Sequence, residues 1–167
     1  PFDGTVVALH ASAGELAQLD RPILTLATLD QLQIETTDLS ERDICTKFIT
    51  PALTTAGWDL HTQIREEVTF TKGRIIVRGK LHTRGETKRA DYILYYKPNI
   101  PVALIEAKDN SHAVGAGMQQ GLGYADTLDI PFVYASNGDG FLEHDRTGQS
   151  NPIERELTLS TFPTPED

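Results

Sequence analysis

A single cysteine, Cys45, one methionine and one tryptophan occur among the 167 residues. One thiol can neither close an internal disulfide nor build a multi-cysteine zinc site, so a cross-linked scaffold is excluded and a reducing, cytoplasmic setting is expected. No apolar run approaches the roughly 20 residues of a membrane-spanning helix, so no membrane partner is expected. A basic start followed by an apolar segment, the mark of a secretory signal, is also missing. So is the phosphate-binding sequence G-x-x-x-x-G-K-[ST], which leaves the chain without a predicted ATPase site. The segment "GAGMQQG" has the wrong glycine spacing for a dinucleotide fingerprint. His10, His61, His82, His112 and His144 show no metal-ligand spacing and read as surface or core residues. Positive charge is scarce too: 15 Lys and Arg face 24 Asp and Glu, for a net charge of -9. On average, that balance disfavours a polyanionic partner.

The average conceals a concentration. Lys72, Arg74, Arg78, Lys80, Arg84, Lys88 and Arg89 fall within eighteen residues opposed only by Glu86. Such a run suits phosphate contact, although lysines on an exposed hairpin also serve to discourage aggregation. The chain length suits one ordinary domain with a core of its own and a small appendage.

Residues 1–36 read as short strands, "GTVVALH", "PILTLATL" and "LQIET", broken by turns. From Ser40 the apolar period changes: Ile44, Phe48, Ala52, Leu53 and Ala56 predict a helix over 40–56. It is opened by a Ser40/Asp43 capping box, interrupted near Pro51 and stopped at Gly57. The hairpin "EEVTF"-"TKG"-"RIIVRGKL" follows, then "ADYILYY" and "PVALIEAK" joined by a Pro-Asn turn that makes them antiparallel neighbours. A second helix is predicted over 113–129 despite three glycines. "PFVYASNG" is the last expected strand, and the tail from about 149 reads as a loose strand or disorder. Strands and helices in this order give an α/β (α+β) fold, a mixed central sheet flanked by helices, with a β-rich segment 1–38 ahead of a domain 39–167. Cys45, on the apolar side of its helix, reads as a structural thiol and Trp58 as a core anchor.

"VALIEAKDN" carries the chemistry. Glu106 and Lys108, one residue apart on a strand, are predicted to leave the same face. The antiparallel return through Lys97–Pro101 brings Asp91, at the start of the preceding strand, beside them. Two carboxylates from neighbouring strands suit a hard cation such as Mg²⁺, which favours oxygen ligands and retains waters. Such a cation supports phosphodiester hydrolysis, with Lys108 orienting the nucleophile or neutralising charge.

Asp91, a turn, and an apolar strand ending in "EAK" resemble the PD-(D/E)xK nuclease superfamily, with Ala90 where a proline often stands. The stretches "SERDICTKFITPALTTAGWD", "QIREEVTFTKGRIIVRGK", "KRADYILYYKPNIPVALIEAKDN" and "QQGLGYADTLDIPFVYASNGDGF" extend this. Over about 39–148 they are similar to the amino-terminal nuclease domain of the restriction subunit of type I restriction-modification enzymes. The resemblance implies a restriction-endonuclease-like fold and a Mg²⁺-dependent DNA endonuclease, controlled by an ATP-driven motor that is not in this chain. It further implies double-stranded DNA, modification and specificity subunits as partners. Gln120 and Tyr124 match the family's Q-x-x-x-Y element, and Glu41 its helix glutamate, so both elements join Asp91, Glu106 and Lys108 as expected site residues. Residues 1–36 instead resemble part of the lipoyl-like hairpin and adjoining barrel of periplasmic adaptor proteins. The competing expectation is a catalytically silent DNA-docking or adaptor module.

Overall fold

Residues 5–9, 24–27, 38–71, 74–75 and 87–167 are described by the structure, a computed structural model, in which the chain divides into two units, Pro1–Thr37 and Asp38–Asp167. In the first unit β1 (Thr5–Leu9) pairs antiparallel with β2 (Leu24–Ala27), Thr5 opposite Ala27 and Leu9 opposite Leu24. The expected strand "LQIET" lies outside the described residues.

The second unit opens at the predicted cap. Asp43 N–H donates to Ser40 Oγ at 3.2 Å while Ser40 N–H donates to the Asp43 carboxylate at 3.3 Å, satisfying two orphan donors of α1 (Glu41–Ile44). The helical path does not run on as one α-helix. A π-helical turn, Cys45–Ile49, intervenes before α2 (Thr50–Thr55), with Thr50 N–H bonded to Cys45 O. Pro51 supplies the reason: a proline has no N–H to give and crowds the carbonyl four residues earlier, and a wider turn just ahead of it makes room. Gly57, at φ +98°, then ends the path where a left-handed residue is needed.

A seven-stranded sheet follows in the order β4-β3-β5-β6-β7-β8-β9. The strands are β3 (Ile64–Thr71), β4 (Arg74–Ile75), β5 (Lys88–Lys97), β6 (Ile100–Ala107), β7 (Phe132–Ser136), β8 (Phe141–Asp145) and β9 (Glu154–Leu157). Every neighbouring pair is antiparallel except β6–β7. That parallel pair requires a crossover, and α3 (Met118–Leu128) provides it. The β5–β6 connection is the expected two-residue Pro98-Asn99 turn, Asn99 taking φ +66°. The fold is thus mixed α/β, as expected from the sequence. Among the described residues no helix is long and apolar enough to cross a membrane.

Helices cover both faces. Ile44, Ile49 and Leu53 pack with Ile64, Tyr92, Leu94 and Ile105 on one side, while Met118 and Ala125 of α3 pack with Phe70, Ile93, Leu104 and Val133 on the other. Strict alternation would put Ile64 and Val68, and likewise Tyr92 and Ala90, on one face. Instead Ile64 and Tyr92 join the first core and Val68 and Ala90 the second. The inversion falls between the registered pairs Glu66–Tyr92 and Val68–Ala90, where Glu67 (φ +50°) and Asp91 stand.

Three expectations are corrected. α3 begins at Met118, five residues later than predicted, and residues 113–117 form turns. "PFVYASNG" is not the last strand, since β8 and β9 extend the sheet. The inward positions of β8 are Phe141, Glu143 and Asp145, so two of three buried side chains are acids and the alternation is hidden. Glu143 is matched by Arg155 Nε at 2.8 Å, and Asp145 by Thr147 and Ser150, which removes the penalty for burying them. Finally, the tail contains the expected strand, β9, and in place of the alternative of disorder its end is docked: Phe162, 5% exposed, lies 4.8 Å from the rings of both Tyr134 and Phe141, and Trp58 Nε1 donates to Pro163 O at 2.8 Å. Trp58 is the core anchor that its position suggested.

Candidate active site

β5 and β6 part company at one end of the sheet. The last registered pair is Tyr92–Ile105, and one step on, at Asp91 and Glu106, the ladder is no longer registered. Beyond that step Ala107 N–H takes a side chain as its partner, Asp91 Oδ2 at 2.8 Å. Asp91 therefore closes the ladder where the main chain diverges. Burial raises its pKa, opposed by the Ala107 N–H and supported by the nearby Glu41 charge.

Glu106 is 1% exposed, one of the least accessible side chains in the second unit. Oε2 accepts from Gln120 Nε2 at 2.6 Å, whereas Oε1 is buried without a well-formed hydrogen bond among the described residues, the Asp91 main-chain N–H being close enough only to lower the carboxyl's pKa slightly. Burial, and then the neighbouring Asp91 charge, push the carboxyl from its ordinary 4.5 up to about 8. The glycines that weakened the helix prediction explain how Gln120 gets there. A Cβ on Gly117 would lie 3.0 Å from Glu106 Cβ, and one on Gly121 only 2.7 Å from Val133 Cγ1 and 3.4 Å from Glu106 Cγ. Only with hydrogen at these positions can α3 lie this close to β6.

β6 ends at Ala107, so the simple two-residue alternation stops before Lys108. Lys108 is gripped from the other helical layer, Nζ lying 3.0 Å from Glu41 Oε1. Burial works to lower its pKa, but Glu41, Glu106 and Asp91 outweigh it and hold the ammonium protonated. Tyr124 packs edge-on to Phe70 at 5.2 Å, with Lys88 Nζ 5.4 Å from its ring centroid, and burial followed by the Glu106 charge raises its phenol. Glu41, Asp91, Glu106, Lys108, Gln120 and Tyr124, drawn from two helices, two strands and the residue that follows β6, thus form one group linked by charge and hydrogen bonds.

Of the seven basic residues expected at DNA, Lys72, Arg78, Lys80 and Arg84 lie outside the described residues, and Arg74 is described only as part of β4. Lys88 sits on the Tyr124 ring, and Arg89 Nη1 is 3.9 Å from Glu67 Oε2. A cleft of about 160 Å³, lined by Glu41, Arg42, Glu66, Glu67, Arg89 and Asp91 among others, adjoins the group. Nothing in the sequence singled out Arg42, Glu66 or Glu67; an arginine beside a first-turn glutamate is an ordinary surface pattern. Cys45 also borders this cleft, partly buried, and burial pushes its thiol up to about 11, which suits a structural role better than a nucleophilic one.

The residues fit a divalent cation. A buried carboxylate oxygen left unsatisfied among the described residues, with a second carboxylate near enough to raise its pKa, is a donor set that suits a positive charge. No group of three or more His, Cys, Asp or Glu gathers for a metal among the described residues, so two carboxylates would hold it with water completing the shell. The titration follows. Between pH 4.5 and about 8 the folded protein keeps a proton on Glu106 that the unfolded chain has released, so stability falls as pH rises through this window and levels off above it. Thermal melting in EDTA is expected to show a declining melting temperature from about pH 5 to 8. Glu106→Gln should flatten that decline, and an unchanged slope in the variant would contradict the assignment.

Against this geometry, the family profile described as "Type I restriction enzyme R protein N terminus (HSDR_N)" matches residues 60–155, more than half of the chain. The chain belongs to this family. The type I restriction enzyme EcoAI endonuclease subunit of Escherichia coli is 51% identical to it over 134 residues, 80% of this chain and 16% of that subunit. A solved fragment of an HsdR subunit of a type I restriction enzyme from Vibrio vulnificus YJ016 shares 42% identity and a TM-score of 0.63, over 78% of this chain and 25% of that one. The chain therefore corresponds to an amino-terminal portion of an R subunit and spans about a sixth of the length of the EcoAI relative. In R-subunit terms, the 60–155 match contains Asp91, Glu106, Lys108, Gln120 and Tyr124, while Glu41 precedes it.

Proposed function

We propose that this chain is a metal-dependent DNA endonuclease domain of the PD-(D/E)xK type, hydrolysing phosphodiester bonds as part of a type I restriction subunit. The observation that carries the reading is the buried Oε1 of Glu106, unsatisfied among the described residues, in a carboxyl close enough to Asp91 to feel its charge. Asp91 and Glu106 would hold Mg²⁺, which when bound supplies an acidified water and neutralises charge building on the phosphate. Gln120 keeps Glu106 turned into the site by holding its other oxygen. Lys108, kept protonated and steered by Glu41, offers a cation to the negatively charged phosphodiester. Tyr124, packed edge-on to Phe70, presents its phenol beside Gln120. Double-stranded DNA is the substrate in this reading, and Lys88 and Arg89 together with the basic run 72–84 supply phosphate contacts.

Modification and specificity subunits are the proposed partners, and the proposed setting is the cytoplasm. ATP is left to the motor of a full-length restriction subunit. Residues 1–37 are taken as an appendage to the nuclease unit, and their likeness to adaptor proteins gives them no part in the chemistry. Calorimetric titration with Mn²⁺ or Mg²⁺ tests the reading. The wild-type chain should bind one equivalent and Glu106→Gln at least about tenfold more weakly, the scale on which metal sites respond to lost ligand interactions. Equal affinity of the two proteins would favour a silent DNA-docking module.

A further inference from the structure

In the cleft beside Asp91, Arg89 shares one acid with a second arginine to which the proposed chemistry gives no part. Arg42 Nη1 lies 3.1 Å from Glu67 Oε1, and Arg89 Nη1 lies 3.9 Å from Glu67 Oε2, so the two oxygens of one carboxylate are taken by two different guanidinium groups. All three side chains are more than half exposed. Glu67 occupies this position from inside a strand with φ +50°, a backbone that residues other than Gly, Asn and Asp seldom adopt. Such a conformation persists where the surroundings hold it, and such outliers gather at ligand clamps and switches. Both arginines are tied to the site through their neighbours. Arg42 follows Glu41, the partner of Lys108, and Arg89 precedes Asp91 by two residues on β5.

We propose that Arg42 and Arg89 form a phosphate clamp at the mouth of this cleft and that Glu67 fills it until a DNA phosphodiester takes its place. This deepens the nuclease reading and rests on it. The non-bridging oxygens of a phosphodiester can meet two guanidinium groups as the carboxylate oxygens do, and arginine is the side chain best shaped for that exchange. An exposed ion pair is weak and screened by salt, so the occupant is readily displaced. Glu67 thereby sets a threshold: it keeps two cations next to the acids of the site neutralised and admits a polyanion in its stead.

Anisotropy with a short fluorescent duplex, measured on the 167-residue chain in EDTA over a range of salt, tests the clamp. Glu67→Gln is expected to tighten binding by about two- to fivefold, the worth of an exposed ion pair. Glu67→Gly, which also suits the left-handed backbone, should do the same and guards against a folding defect in the first variant. Arg42→Ala should weaken binding and lower the salt slope by about one. Glu66→Gln removes an equal charge from the same cleft, but Glu66 Oε1 accepts from Thr50 Oγ1 and, among the described residues, from no arginine, so it should change affinity by less than Glu67→Gln. In the Arg42→Ala/Arg89→Ala background Glu67→Gln should add nothing. Equal tightening by the Glu66 and Glu67 variants, or tightening that survives loss of both arginines, overturns the clamp. A wild-type chain that binds and cuts DNA while ignoring Glu67→Gln overturns the clamp alone. One that does not bind DNA at all overturns the nuclease reading with it.

Discussion

Asp91→Asn is expected to reduce Mg²⁺-stimulated nicking of plasmid DNA by about 100- to 1000-fold while leaving the melting temperature within a few degrees of wild type. Asparagine is chosen because Asp91 has two tasks. Its Oδ2 accepts the Ala107 N–H that the diverging strands leave without a main-chain partner, and an amide oxygen can still do so. What asparagine removes is the negative charge that a cation and Glu106 both respond to. Asp91→Ala, by contrast, also strands a part-buried N–H at a cost of about 1–3 kcal/mol, mixing a folding defect into the activity loss. Wild-type nicking by Asp91→Asn, with the metal titration also intact, would show that this carboxylate is structural only.

Gly121→Ala is expected to abolish nicking although residue 121 bears no functional group. Alanine normally gains about 1 kcal/mol over glycine inside a helix. Here its Cβ would come within 2.7 Å of Val133 Cγ1, a buried branch on β7 that has nowhere to retreat, so the helix must move instead. Overpacking of this kind costs about 1–3 kcal/mol, leaving a small net destabilisation. The larger effect is geometric: lifting α3 lengthens the 2.6 Å bond between Gln120 and Glu106 and frees the carboxylate to turn. Denaturant melts together with nicking assays separate the two contributions. If stability and activity both match the wild type, the close approach is not what orients Glu106. Gly123, with nothing within 4 Å of an added Cβ, is the control on the same helix, and alanine there should leave nicking unchanged.

The elements with strong local signals were legible in the sequence: the Ser40/Asp43 cap, the Pro98-Asn99 turn, the apolar strands that flank it, and the helical period of α3. The grouping of Glu41, Asp91, Glu106, Lys108, Gln120 and Tyr124 was legible through family resemblance more than through spacing, because Glu41 and Lys108 are 67 residues apart and nothing local connects them. What escaped notice depended on tertiary compensation. β8 buries Glu143 and Asp145, which no alternation rule would place inward without knowing of Arg155, Thr147 and Ser150. Gly117 and Gly121 looked like helix weakeners because their purpose is a neighbour on another strand. Glu67 looked like one more strand acid, and only its backbone angle and its two arginine partners set it apart.

The docked tail has a practical consequence for anyone trimming this protein. A fragment cut to residues 60–155, the part that sequence comparison recognises, would discard Ile44, Ile49, Leu53 and Phe162 from the first core. Tyr92, Tyr134 and Phe141 would then face water as a bare aromatic wall. What identifies the domain and what holds it shut are different stretches of the same chain.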